Sequence, residues 1–226
     1  MTLCVIPARG GSKRIPLKNV RDFCGRPMIE WPIAAALESS CFERVVVSTD
    51  NAQIAEVAIR AGAEVPFLRP AELADDNTST RPVIAHAVET LGAKGPICCL
   101  YATAPFVVPE DLRRGLDRIS QGGATYAFSV TRYAFPIQRA LRMSRHDAVE
   151  MFQPEHFETR SQDLEEAWHD AGQFYIASAV QWRTEAPIFG TGAVGIPVPR
   201  ERVQDIDTEE DWRFAELLFR AQGMDR

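Results

Sequence analysis

The chain has no apolar run near the ~18–20 residues that a helix needs to cross a bilayer. It has no Cys-x-x-Cys pair, and its five cysteines, Cys4, Cys24, Cys41, Cys98 and Cys99, are odd in number. A disulfide framework and a zinc site are therefore not expected, and a reducing cytoplasm is the expected location. Cys4, Cys98 and Cys99 fall within apolar runs, where cysteine acts as a small hydrophobe. Glycine (14) and proline (15) stay near average usage, which excludes collagen-like and low-complexity chains. A basic excess is missing too. Lys and Arg total 25 against 31 Asp and Glu, a net charge of -6, so the chain as a whole is no nucleic-acid binder. Met1–Arg9 lacks the basic stretch and long apolar core of a secretion signal.

What remains is ample for a globular core: 226 residues, 46% hydrophobic and 25% charged. At roughly 150 residues per domain, one domain spanning 1–226 is the economical expectation. Short apolar runs predict strands at Leu3–Ala8, Arg44–Thr49, Val65–Leu68, Ile97–Ala102, Tyr126–Thr131, Gln173–Ser178 and Val194–Val198. Helical spacing predicts helices at Pro27–Glu38, Asn51–Ala61 (capped by Asp50), Arg81–Leu91 (capped by Thr80), Glu110–Ile119 and Glu209–Gln222. Thr208-Glu209-Glu210-Asp211 reads as a capping box with Asp in the place of Glu. Alternating strands and helices predict an α/β fold with a mostly parallel sheet flanked by helices. From about 133 to 169 the alternation stops, and that stretch reads as an inserted arm.

The first strand runs into Pro7-Ala8-Arg9-Gly10-Gly11-Ser12-Lys13-Arg14-Ile15-Pro16-Leu17-Lys18-Asn19. Arg9, Lys13, Arg14 and Lys18 put four cations within ten residues of an acidic chain. Gly10 and Gly11 are expected to take positive φ and let backbone N–H groups approach an anion. Ligands of open parallel sheets bind beyond the carboxyl ends of the strands, and a triphosphate suits this loop. The spacing is neither that of a Walker A loop nor that of a dinucleotide-binding turn.

The stretch Ile6–Asn19 closely resembles the nucleotide-binding signature of the CMP-sugar synthetases, the cytidylyltransferases that activate acidic sugars. The likeness continues at Gly25–Ile29, Val46–Asp50, Arg69-Pro70, Asp76–Thr80, Leu100–Phe106, Asp170–Ile176 and Asp205–Asp207. It implies a Rossmann-like nucleotide-diphospho-sugar transferase fold, a dimerisation arm, and CTP as donor to an acidic nine-carbon sugar. Carried over residue by residue, it implies nucleotide contacts from Ala8, Arg9, Gly10, Gly11, Ser12, Lys13, Lys18, Asn19, Asn77, Ser79 and Thr80. Arg9, Lys18 and Asp207 are the implied catalytic group.

Asp205-Ile206-Asp207 puts two carboxylates on one side of an extended segment. On residues alone this is equally a site for Mg²⁺ or the acidic opening of the last helix. The resemblance favours magnesium, because the matching Asp-x-Asp of the sialic acid synthetases is the metal site.

Where those enzymes typically read Leu-Gln-Pro-Thr-Ser-Pro, this chain reads Leu100-Tyr101-Ala102-Thr103-Ala104-Pro105-Phe106. That form, with Asp170-Ala171-Gly172-Gln173-Phe174-Tyr175, looks like the pseudaminic acid branch of the family, whose acceptor is more apolar. Tyr101, Thr103, Phe106, Arg132, Gln173 and Tyr175 are the implied acceptor contacts. Tyr101 and Phe106 also read as ordinary core aromatics. Another acidic sugar, sialic or legionaminic acid, stands as the alternative acceptor. A different nucleotidyltransferase and a non-catalytic nucleotide binder stand as alternative functions.

Overall fold

The computed structural model describes residues 1–76 and 78–225. In chain order the strands are β1 (Leu3–Pro7), β2 (Asp22–Phe23), β3 (Arg26–Pro27), β4 (Arg44–Ser48), β5 (Pro96–Leu100), β6 (Tyr126–Arg132), β7 (Leu141–Met143), β8 (Val149–Met151), β9 (Trp168–Ser178) and β10 (Val194–Pro197). The helices are α1 (Glu30–Ser39), α2 (Ala52–Arg60), α3 (Thr80–Thr90), α4 (Pro109–Ser120) and α5 (Glu209–Ala221). A six-stranded sheet has the order β10-β6-β9-β5-β1-β4. Its pairings are parallel except where β9 runs antiparallel to both β5 and β6.

The central strands are apolar throughout because both their faces are covered. On one face Cys4, Ile6, Val45, Val47, Cys98 and Leu100 pack with Ile33, Ile54 and Leu112 of the helices. On the other, Leu3, Val5, Val46, Ile97 and Cys99 meet Ile84, Ala87 and Val88 of α3 and Trp182. A third cluster lies outside the sheet. It joins Ile15, Phe23, Phe106, Ile206, Trp212 and Phe219, and so ties the loop after β1 to the entry and body of α5. All five cysteines are free.

The sequence expectations hold for six strands, with corrections. Val65–Leu68 forms no strand; only the isolated bridges Val46–Glu64 and Thr49–Leu68 remain. Pro66 lies between them and has no N–H to give to a ladder. The cap of α2 is Asn51, whose side chain accepts from the Ile54 N–H. Asp50 accepts instead from the Gly10 N–H at 2.9 Å. The cap of α3 is Ser79, one residue before the expected Thr80. The box at α5 is complete with Asp211. Neither Gly10 nor Gly11 has positive φ; in that loop the left-handed residue is Leu17 at φ 51°. Glycine is needed at position 10 for space, because a Cβ there would stand 2.7 Å from the Asn51 Nδ2. Gly10→Ala is expected to cost about 1–3 kcal/mol, read as a lower denaturation midpoint with unchanged slope.

The segment expected as an arm contains the β7–β8 hairpin and short 3₁₀ turns. It is shorter than expected at its end, because Trp168 and His169 already belong to β9. Phe135, Met143, Phe152 and Phe157 are exposed along it. β9 carries a bulge opposite Ser129. Phe128 pairs with Tyr175 and Val130 with Asp170, so the odd spacing of Asp170 and Tyr175 still places both on one face.

Candidate active site

The carboxyl ends of β1 and β5 open into a cavity of about 480 Å³. Arg9, Ser12, Lys13, Arg14, Lys18 and Asn19 form one side, and Thr78, Thr80, Tyr101 and Thr103 another. Asp76 and Asp207 also line it. The four loop cations divide between these two acids. Arg9 Nη1 lies 2.6 Å from Asp76, and Lys13 pairs with the same carboxylate. Arg14 Nη2 lies 2.9 Å and Lys18 Nζ 3.4 Å from Asp207 Oδ1. Lys18 also donates to the Ile206 carbonyl at 2.6 Å. Hydrogen bonds from Lys13 and then Arg9 hold the Asp76 carboxyl below its usual range. Such half-exposed pairs are weak and exchangeable, and a polyphosphate offers the cations a stronger partner.

Asn19 is buried, and its Nδ2 donates to the Arg9 carbonyl at 3.0 Å, so it shapes the loop as well as lining the cavity. Arg69, which sequence reasoning left without a role, also lines the cavity. It is 6% exposed, and burial lowers its pKa. Its Nε donates to Ser48 Oγ at 3.2 Å and its Nη2 to the Ser48 carbonyl. An arginine inside the otherwise apolar Val65–Pro70 stretch was the available signal.

The other expected site residues lie elsewhere. Ala8 is buried, its N–H bonded to the Ser48 carbonyl. Ser79 is the exposed cap of α3. Phe106 is 1% exposed and packs against Phe219, so it is a core aromatic and no acceptor contact. Gln173 is buried in β9, where its Nε2 donates to the Arg202 carbonyl. Arg132 pairs with Glu166 at 2.9 Å and lines a second cavity, about 830 Å³, at the ends of β6 and β10. Tyr175 stands behind Tyr101, the rings 5.5 Å apart. Asn77 lies outside the described residues.

Asp205 is an exposed residue outside the lining of the cavity, yet desolvation, followed by the charge of Asp207, raises its carboxyl pKa against the pull of Lys18. This crowding of negative charge is what a hard cation relieves. Two carboxylates are also as many as Mg²⁺ commonly takes from a protein. Among the described residues no cluster of three or more His, Cys, Asp or Glu could hold a metal. Asp205 and Asp207 together would offer a hard cation such as Mg²⁺ two carboxylate groups.

A mostly parallel sheet with a cation-lined cavity at the carboxyl ends of its strands, and with Asp76 and Asp207 paired to those cations, is the arrangement of a nucleotidyltransferase. The chain belongs to the cytidylyltransferase family, whose model matches residues 3–197. It is 43% identical over 222 residues to a pseudaminic acid cytidylyltransferase of Campylobacter jejuni, covering 96% of both chains. It is 35% identical to the CMP-N,N'-diacetyllegionaminic acid synthase of Legionella pneumophila, over 96% of this chain and 95% of the other. The solved structure of a CMP:2-keto-3-deoxy-manno-octonic acid synthetase complexed with CTP shares the fold, at a TM-score of 0.73 and 17% identity, covering 98% of this chain and 99% of that one.

Proposed function

We propose that this cytidylyltransferase moves CMP from CTP to the anomeric hydroxyl of pseudaminic acid, releasing pyrophosphate. The observation that carries the reading is the cavity in which Arg9, Lys13, Arg14 and Lys18 converge beside Asp207, in a chain 43% identical to a pseudaminic acid cytidylyltransferase. The acceptor oxygen attacks the α-phosphorus in line. One P–O bond forms as the bond to pyrophosphate breaks, and the acceptor proton passes to an acidic side chain or water. The four cations leave Asp76 and Asp207 for the phosphates, which fixes the donor and offsets charge on the leaving group. Asp205 and Asp207 would hold Mg²⁺, which supplies Lewis-acid stabilisation of phosphate charge when bound. Arg69, Thr78 and Thr80 bound the part of the cavity left for the nucleoside.

Incubation with CTP and a panel of pseudaminic, legionaminic and sialic acids tests the acceptor. A CMP-pseudaminic acid mass with pyrophosphate release is expected. Preferred turnover of either of the other two would overturn the assignment. Removing divalent cations with a chelator is expected to stop turnover and added Mg²⁺ to restore it. Lys18→Ala is expected to weaken CTP binding about ten- to hundredfold in calorimetry, since it removes a charge-assisted contact.

The reading extends to a cytoplasmic homodimer. The exposed Phe135, Met143, Phe152 and Phe157 of the arm support association of two copies. Free cysteines and a cytosolic co-substrate support the location. Among the described residues no helix is long and apolar enough to cross a membrane.

A further inference from the structure

Asp205 and Asp207 stand on a stretch that no secondary structure holds. Residues 203–208, between the 3₁₀ turn Arg200–Arg202 and α5, form neither helix nor strand. Among the described residues, no backbone group of 204–207 is bonded to another backbone group. On the downstream side, Asp211 Oδ2 accepts from the Asp207 and Thr208 N–H groups at 3.2 and 2.8 Å. On the upstream side the anchor is Arg202. Its side chain is 16% exposed, and its Nη1 donates to Asp111 Oδ2 at 2.5 Å and to the Phe106 carbonyl at 3.3 Å. Asp111, in the first turn of α4, is 2% exposed. Its Oδ1 accepts from Arg114 Nη1 at 3.3 Å, and that nitrogen also donates to the carbonyl of Pro197, the last residue of β10. The Arg202 carbonyl accepts from Gln173 Nε2, and the Gln173 carbonyl accepts from the Tyr101 N–H at 2.9 Å. Both ends of the 101–106 segment are thereby tied to Arg202, Phe106 directly and Tyr101 through Gln173. That segment brings Tyr101 and Thr103 to the cavity, and the chain beyond Arg202 brings Asp207 to it.

We infer that Arg202 is a positioning residue for the reaction: seated on the buried Asp111 carboxylate, it fixes the segment that carries Asp205 and Asp207 relative to the wall formed by Tyr101 and Thr103. A carboxylate removed from water is stable as a charge only while its partners stay in place, so the guanidinium cannot swing away without stranding Asp111. The half-exposed pairs of Asp76 and Asp207 lack this constraint and can exchange partners. Neither Arg202 nor Asp111 lines the cavity, so both act through the residues they hold. A metal-binding or phosphate-facing carboxylate on an unbraced stretch would sample many positions, and its alignment is what the clamp supplies. The inference rests on the reading of Asp207 as part of the reaction.

Arg202→Met alone strands Asp111 and is expected to melt well below the wild type. Asp111→Leu/Arg202→Met replaces both partners with apolar side chains and is expected to melt close to it, because a buried ion pair exchanged whole costs little. In this double variant kcat is expected to fall about tenfold while KM for CTP stays within about twofold; Arg202→Lys, which keeps the charge, is expected to retain most of the turnover. The same pair of changes is then made in Asp207→Ala. No further fall in kcat is expected there, since the residue being positioned is gone. Without acceptor, Mn²⁺ is titrated by calorimetry into the protein–CTP complex, with CTP alone as reference, and its affinity is expected to drop about tenfold in the double variant. Unchanged kcat in a folded double variant, or the same proportional fall with and without Asp207, would overturn the inference. Near-normal turnover of Asp207→Ala by itself refutes the reading of Asp207, and the inference falls with it. A wild type that takes up no Mn²⁺ beyond CTP alone refutes only the metal reading, and the kcat comparison then decides.

Discussion

Asp207→Ala is expected to lower turnover at least about a hundredfold at saturating CTP and Mg²⁺. The side chain is the meeting point of the site. It holds Arg14 at 2.9 Å and Lys18 at 3.4 Å, and it stands two residues from Asp205. Losing it removes one of two oxygen donors suited to a metal and lets both cations drift from the position where the phosphates arrive. Both losses weigh on the transition state, where charge on the departing pyrophosphate is greatest, so kcat falls and KM for CTP moves less. Asp207→Asn keeps the volume and one oxygen while removing the charge, and is expected to retain part of the activity. Steady-state pyrophosphate release across a Mg²⁺ series checks both variants. Near-normal turnover of Asp207→Ala would remove the residue from the mechanism.

Trp212→Ala is expected to be the most damaging single truncation for stability. Trp212 is 2% exposed, meets Phe23 edge-on at 5.5 Å and lies under the Arg21 guanidinium at 4.6 Å. Its removal leaves a cavity among Phe23, Phe219 and Ile206. Truncations of this kind cost about 3–5 kcal/mol. For a chain of this size that is a melting temperature lower by roughly 10 °C. The same cluster contains Ile15 and Ile206, apolar anchors between the charged residues of the site. The variant is therefore also expected to bind CTP more weakly at temperatures where it remains folded. A thermal melt with unchanged midpoint would show that α5 is held by its capping box and surface ion pairs instead.

The strands were legible because burial on both faces leaves little but Val, Ile, Leu and Cys in them, as in Val45-Val46-Val47. The direction of β9 was not, since an apolar run carries no sign of whether its neighbours run with or against it. Helix ends were legible to within one or two residues for α2, α3 and α5. The exchange of roles between Asp50 and Asn51 was hidden, because the Gly10 N–H that claims Asp50 lies 40 positions away in sequence. The cations of the site were plain from their density in one loop. Their counter-ions were not, because Asp76 and Asp207 reach the loop only through the fold, 67 positions from Arg9 and 189 from Lys18. Phe106 shows the converse: a family motif placed it beside the substrate, while its side chain turns into the cluster under α5.

The central position of β9 has a consequence for assembly. β5 and β6 flank it in space, yet both are synthesised long before it, and each is bonded to β9 and not to the other. Until residues 168–178 leave the ribosome, β5 carries a bare apolar border and β6 has no strand partner at all, because its other neighbour, β10, is made later still. β9 is therefore the strand that joins β6, and later β10, to the rest of the sheet, a late and long-range step that leaves the half-made protein exposed to sticking to its neighbours.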